Sequence, residues 1–479
     1  MSRTTRRLGR LTVMAAGALT MGMLGAAPAG ATTTGPNLDP DQLGSLTIHK
    51  FEEPDGGGIA GHDGSELTGA ARPDSPLAGV QFTVSRVSSI DLATNEGWQA
   101  VEDLTAAEVT AAPTTYPLST PDADRTDASG TVSFRDLSVG VYLVEETDTG
   151  GHPIALRAEP FLVSVPLPTQ DSTWNYDVHV YPKNSVTAIR KTVDDDAAWG
   201  LGDAVTWSVD VTVPRLPAGE VFTTFAITDE LDDRLAYTRA EVTLDGSGLD
   251  ATAVTLTHAA GTLSATFTSA GLAALDGAQG GTVQLMIDTT VTSVGDGIIP
   301  NDATVTINEF TATTSRVQTE WGALALFKYT ETAAGDRASL EGARFQIFRT
   351  PEDAAAGTHP VAVLVDGERT DTFTSAADGS VLVPGLFAGE VGTTYWVVET
   401  KAPVGYTGAS DPIEVTVHAG STTEAEGSPV GVLNHQRPLI ELPLTGAAGT
   451  VLFTLLGMGL VTVAVGAALR HRRRAGQAG

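Results

Sequence analysis

Over much of the stretch from Thr32 to Thr445, apolar and polar positions alternate in short runs. Gly130-Thr-Val-Ser-Phe, Val141-Tyr-Leu-Val-Glu, Val205-Thr-Trp-Ser-Val-Asp-Val-Thr-Val and Ala303-Thr-Val-Thr-Ile show the pattern. A period of two turns successive side chains to opposite faces, so each run predicts a strand with one buried face. Gly, Pro and Asp punctuate the runs, and Val and Thr dominate them. Many short strands at such spacing predict an all-β chain of tandem immunoglobulin-like β-sandwiches. A helical period is rare. One candidate helix, Asp103 to Ala112, is expected as an insertion.

The two ends depart from this pattern. Arg3, Arg6, Arg7 and Arg10 precede an apolar run from Leu11 to Ala27 and the small residues Ala29-Gly30-Ala31, the layout of a secretory signal peptide cleaved after Ala31. A second, uncharged apolar run, Ala447 to Leu469, is long enough to cross a bilayer and leads directly into Arg470-His471-Arg472-Arg473-Arg474. Leu442-Pro443-Leu444-Thr445-Gly446 stands just before it. Pentapeptide, apolar helix and basic tail resemble, in that order, an LPxTG cell-wall sorting signal with a membrane span that is transient.

Landmarks recur inside the exported region. Leu46-Thr-Ile-His-Lys50-Phe is answered by Leu324-Ala-Leu-Phe-Lys328-Tyr, and Pro76-Leu-Ala-Gly-Val-Gln-Phe82 by Leu340-Glu-Gly-Ala-Arg-Phe345. Asp127-Ala-Ser-Gly130 matches Ala377-Asp378-Gly379, and Tyr142-Leu-Val-Glu-Glu146-Thr matches Tyr395-Trp-Val-Val-Glu399-Thr. Both units resemble the collagen-adhesin B-type domain, and the segment between them reads as a different sandwich. The organisation expected is a signal peptide over 1–31, an N-terminal domain over 32–185, a middle immunoglobulin-like domain over 186–320, a C-terminal collagen-adhesin B-type domain over 321–441 and a sorting signal over 442–479.

Charge and composition narrow the chemistry. A formal net charge of −30 disfavours nucleic acid as a partner and suits a self-repelling exterior. Cysteine is absent although an exported chain could use disulfides, so robustness must have another source. Only five of the 28 basic residues are lysine: Lys50, Lys183, Lys191, Lys328 and Lys401. A lysine kept in an arginine-rich chain points to primary-amine chemistry, because guanidinium stays protonated and is a poor nucleophile. The histidines show no metal-like pairing, Asp194-Asp195-Asp196 lacks the spacing of a calcium loop, and there is no Gly-x-Ser-x-Gly elbow. Neither an enzyme nor a metal or other cofactor is expected.

Trp174-Asn-Tyr-Asp-Val178-His-Val180-Tyr181-Pro182-Lys183 matches the pilin motif of sortase-assembled Gram-positive major pilins, and Tyr395 to Tyr406 resembles their E-box, with Val397 where leucine is usual. The resemblance implies a secreted, wall-anchored shaft subunit of a surface fimbria. A sortase cysteine would attack Thr445 and release Gly446, and the amine of Lys183 on another subunit would take over the acyl group. Implied partners are identical subunits, pilin-specific and housekeeping sortases, peptidoglycan, a minor or tip pilin, and an unidentified host or bacterial receptor. The alternative is a monomeric wall-anchored adhesin, against which the pilin motif weighs.

The same resemblance implies isopeptide staples formed autocatalytically, once per bond. Lys328, Glu399 and Asn434 would serve the C-terminal domain, with a protonated Glu399 hydrogen-bonding the carboxamide carbonyl. Lys191, Asp229 and Asn301 would serve the middle domain. Alternation turns Glu230 outward, and Asn308 is the rival carboxamide. Whether Lys50, Glu146 and Asn184 bond in the first domain stays open, and Lys401 reads as exposed and structural.

Overall fold

A computed structural model describes residues 35–54, 62–169, 171–409, 411–420, 429–438 and 447–475. The signal-peptide segment and the pentapeptide Leu442 to Gly446 lie outside the described residues. The chain forms two compact units. The first runs to His152 and resumes over Arg157–Asn184, and the second comprises Pro153–Leu156 with the chain from Ser185 onward.

In the first unit, strand Gly44–His49 lies between Asp177–Val180, which it meets in parallel, and antiparallel Thr131–Leu137. A facing antiparallel sheet runs in the order Asp122–Arg125, Gln81–Arg86, Gly140–Asp148, Phe161–Val165. Alternation buries Leu46, Ile48, Phe82, Val84, Phe134, Val144 and Val178 between them. The helical insertion is two short helices, Asn95–Val101 and Ala106–Ala111. The second begins later than the 103 expected, because Thr105 caps it: its hydroxyl accepts from the Glu108 N–H, while Glu108 reaches back to the Thr105 N–H.

Two sandwiches make up the second unit. In the first of them, the sheet containing Ile189–Asp194, Ala204–Thr212, Thr282–Val291 and Leu235–Leu244 packs on one containing Thr262–Phe267, Phe225–Glu230 and Ala303–Ile307. Trp207, Val209, Phe225, Ile227, Leu263, Leu285 and Val305 fill the interior. In the other, Arg344–Phe348, Thr393–Lys401 and Ile413–Val417 face a sheet built on Val317–Glu331. That strand is 15 residues long and runs through the boundary expected at residue 320. Its first part pairs with Ile298–Asn301, and its later part with antiparallel Ser380–Phe387 and parallel Val430–Leu433.

The two sandwiches also meet through side chains. Arg369 bonds Asp203 at 2.6 Å, the Arg349 guanidinium lies 3.5 Å from the Trp199 ring centre, and the Tyr395 hydroxyl donates to the Trp199 and Phe387 carbonyls. Helix Ala447–Ala475 follows. Its 22-residue apolar part, Val451–Arg472, is fully exposed among the described residues and at 1.5 Å per residue spans roughly 33 Å, about the hydrocarbon thickness of a bilayer.

Candidate functional site: three buried lysines and one at a strand end

Three of the five lysines are withdrawn from water. Lys50 and Lys328 are 0% exposed and Lys191 is 3% exposed. Each lies on the first strand of its sandwich or directly after it, where alternation turns the side chain inward. An ammonium buried in this way is costly unless it is paired or neutral.

Lys328 meets both residues that the sequence reading placed with it. Its Nζ lies 2.5 Å from Asn434 Oδ1 and 3.1 Å from Glu399 Oε2, while Asn434 Nδ2 donates to Glu399 Oε1 at 2.8 Å. The parallel pairing of Lys328 with Val432 brings the last strand alongside and carries Asn434 to the amine. Glu399 arrives from the facing sheet, opposite Phe345 in its strand register. Burial pulls the Lys328 amine below its ordinary range, against the opposing attraction of Glu399.

The first unit repeats the arrangement around Lys50. Its Nζ lies 2.5 Å from Asn184 Oδ1 and 2.8 Å from Glu146 Oε2, and Asn184 Nδ2 donates to Glu146 Oε1 at 2.8 Å. Here the matching register is Phe82 opposite Glu146. Burial is again the dominant influence and brings the Lys50 amine down to about 8, although Glu146 pulls the other way. At pH 7 a fraction on the order of a tenth would then be neutral amine. The three side chains of this trio are in contact, without the later Ala-Pro and Gly-Tyr elements of the E-box.

In the middle sandwich Lys191 Nζ bonds the Asp229 carboxylate directly, and both are buried. Burial raises the Asp229 carboxyl above its ordinary range while Lys191 opposes the shift, and burial lowers the Lys191 amine. Asn301 is 2% exposed and adjoins Asp229, but neither of its carboxamide atoms completes a hydrogen bond. Asn308 is engaged elsewhere. It sits at a positive-φ turn, where its side-chain oxygen accepts from the N–H groups of Thr223 and Thr224. Glu230 is exposed, as alternation requires.

Sequence reasoning passed over two contributors. An aromatic ring lies near each buried amine: Phe82 at 5.7 Å, Trp207 at 5.9 Å and Phe345 at 5.8 Å from Nζ to ring centre. Phe82 and Phe345 were visible as repeat landmarks, but their place beside the amine depends on cross-strand register. Backbone donors also take part. The Ala158 N–H bonds Asn184 Oδ1 at 2.7 Å, and the Ala409 N–H bonds Glu399 Oε2 at 2.9 Å. Loop residues of this kind carry no side-chain signal.

Lys183 is placed differently. It opens strand Lys183–Val186 directly after Pro182 and is partly exposed, opposite Phe51 in a short parallel pairing. Proline ends the preceding ladder, and Asn184, the next residue, turns its side chain inward to Lys50. Lys401 ends strand Thr393–Lys401 and is exposed. Among the described residues, no group of three or more His, Cys, Asp or Glu is arranged to hold a metal ion.

These features recur in characterised families. Residues 41–185 match the model of the Gram-positive pilin subunit D1 N-terminal domain, and residues 326–429 match that of the SpaA prealbumin-like fold domain. The chain is 35% identical to fimbrial subunit type 2 of Actinomyces naeslundii, over 99% of this chain and 98% of that protein. It is 31% identical to fimbrial subunit type 1 of Actinomyces viscosus, over 98% of each. The full-length major pilin SpaD of Corynebacterium diphtheriae superposes with a TM-score of 0.69 at 28% identity, over 84% of this chain and 99% of that one. With 31–35% identity to two fimbrial subunits over nearly their whole length, and the fold of a solved major pilin, the chain belongs to the Gram-positive major pilins and is a shaft subunit of a surface fimbria.

Proposed function

We propose that a sortase polymerises this subunit head to tail through an amide between the Thr445 carbonyl and the Lys183 amine, and that the finished fimbria is joined to peptidoglycan. The observation that carries the reading is the distribution of the five lysines. Three are sequestered against acid and carboxamide, whereas Lys183 stands at a strand end within the pilin motif. One donor and one acceptor at different places on each copy make a heterologous contact, which propagates as a filament. Pilin-specific and housekeeping sortases supply the catalysis, a minor or tip pilin is a further partner, and the polymer supports adhesion. Wall extracts boiled in detergent should give a ladder of very large species on immunoblotting; one monomer-sized band would overturn the reading in favour of a monomeric adhesin.

The sorting signal gives a separate expectation. Without Leu442 to Gly446 no acyl-enzyme forms at Thr445, so the subunit should collect in membrane and medium, with wall-bound protein falling to background in fractionated cells. Efficient wall attachment of that deletion would mean another signal does the anchoring.

The buried trios are read as self-forming isopeptide bonds: Lys328 to Asn434 with Glu399, Lys191 to Asn301 with Asp229, and Lys50 to Asn184 with Glu146. The contacts suit a proton shuttle in which the acid faces the carboxamide nitrogen instead of the carbonyl expected from sequence. One oxygen of Glu399 takes the proton from Lys328 Nζ, the neutral amine adds to the Asn434 carbonyl carbon, the other oxygen protonates Nδ2 as the C–N bond to it breaks and ammonia leaves, and the second proton of the attacking nitrogen passes to the carboxylate that this regenerates. Lys50 extends the proposal to the first unit. Intact-mass measurement of the exported chain should show a deficit of about 17 Da for each bond, and Lys50→Ala should remove one such step. An unchanged deficit in that variant would leave the first unit unstapled.

A further inference from the structure

The reading of Lys183 as acyl acceptor leaves a chemical requirement unmet. An amine attacks a thioester only after losing a proton, and an ordinary lysine is almost wholly protonated at neutral pH. Some base has to accept that proton, and one held beside the lysine would do so most readily.

The pairing of Phe51–Glu52 with Lys183–Val186 sets which residues share a face with Lys183. In the parallel register Lys183 stands opposite Phe51 and Asn184 opposite Glu52. The ladder continues one residue further, since the Glu53 N–H donates to the Asn184 carbonyl at 2.8 Å, just as the Phe51 N–H donates to that of Pro182. Alternation therefore divides the residues between two faces. Lys50 and Asn184 turn to the buried trio, while Phe51, Glu53 and Lys183 share the other face. On that face Phe51 is covered by the Tyr181 ring and by the Arg72 guanidinium, whose centre is 5.5 Å from the ring centre. Glu53 is 8% exposed, is not among the side chains that bond Lys50, and stands one pleat from a partly exposed lysine.

We propose that Glu53 is the proton acceptor that readies Lys183 for acyl transfer. The Lys183 ammonium passes a proton to the Glu53 carboxylate, and the freed amine adds to the Thr445 carbonyl carbon held as a thioester on the sortase. The new C–N bond forms as the C–S bond breaks, and the second nitrogen proton leaves with the sulfur as thiol. Glu53 then returns its proton to water. Burial lifts the Glu53 carboxyl above its usual range, with Lys183 and then Lys50 opposing the shift. A carboxylate made more basic in this way is better matched to a proton transfer near neutrality.

The test uses the purified unprocessed chain with its pilin-specific sortase, scoring cleavage after Thr445 and covalent dimer separately from pH 6.5 to 9.5. In Glu53→Gln, cleavage should equal that of the unmodified chain, while dimer per cleavage falls roughly 100-fold at pH 7. That ratio should then recover about tenfold per pH unit as solvent deprotonates the amine. Glu53→Asp, which keeps a carboxylate, should retain the original pH profile at a reduced rate, and it serves as the variant of record if the amide form does not fold. An unaltered ratio and profile in Glu53→Gln, a uniform loss with no recovery at high pH, or an altered profile in Glu53→Asp would each overturn the proposal. Lys183→Arg separates this from the underlying reading: dimer from that variant overturns the acceptor assignment itself, whatever Glu53 does.

Discussion

Replacing Lys183 with arginine is expected to abolish the covalent ladder while leaving secretion and the folded monomer unchanged. Arginine keeps the positive charge and nearly the same reach, so a loss cannot be attributed to electrostatics or bulk. What it lacks is an amine that can be deprotonated and act as a nucleophile. The strand that carries the residue should tolerate the change, because position 183 is partly exposed and its backbone pairing with Phe51 is independent of the side chain. Immunoblots of wall and medium fractions, with a melting curve of the purified variant, check both halves. A normal ladder from Lys183→Arg would defeat the polymerisation reading.

The second large effect is expected from Glu399→Ala. Lys328 and Asn434 lie 106 positions apart in the chain, and an amide between them would join the strand Val317–Glu331 to the region just beyond Val430–Leu433. By analogy with a disulfide that closes a loop of about 100 residues, the bond is expected to stabilise the C-terminal sandwich by about 4 to 5 kcal/mol. The substitution retains both reacting side chains but removes the carboxyl that touches each. Three changes should therefore appear together: a mass about 17 Da above that of the bonded form after correction for the substitution, a lower melting temperature, and faster proteolysis. If the unsubstituted chain already has the full unbonded mass, the trio is a polar cluster and not a staple.

Much of this was legible in the sequence because the signals were local. Alternation marks a strand wherever one face is buried, and the pilin motif, E-box and sorting signal are each contiguous. The Lys328 trio could be placed because the repeat supplied first-strand, E-box and last-strand positions in order. What could not be read depends on register. The contact of Lys50 with Glu146 and Asn184 requires two strand pairings that no short motif encodes, and the same holds for the rings of Phe82, Trp207 and Phe345 beside the amines. That Asn301 is buried while Asn308 is engaged at an exposed turn was not visible, since both fall beside apolar alternation. The carboxyl of Glu399 against the carboxamide nitrogen is a matter of side-chain geometry, for which sequence has no indicator.

A fimbria in flowing liquid is a rope under tension, and the strand Val317–Glu331 determines how this part of the rope responds. Its 15 residues are already extended, roughly 50 Å from end to end, with Val317 paired to Asn301 at one end and Lys328 beside Asn434 near the other. Load passing between the two sandwiches thus meets backbone with almost no slack, held by ladders pulled lengthwise and paired on both edges around Leu326 and Phe327, so many hydrogen bonds resist together instead of opening one at a time. The second unit should stretch very little before it fails, and a surface held at the end of such a filament would feel a tug at the cell almost without delay.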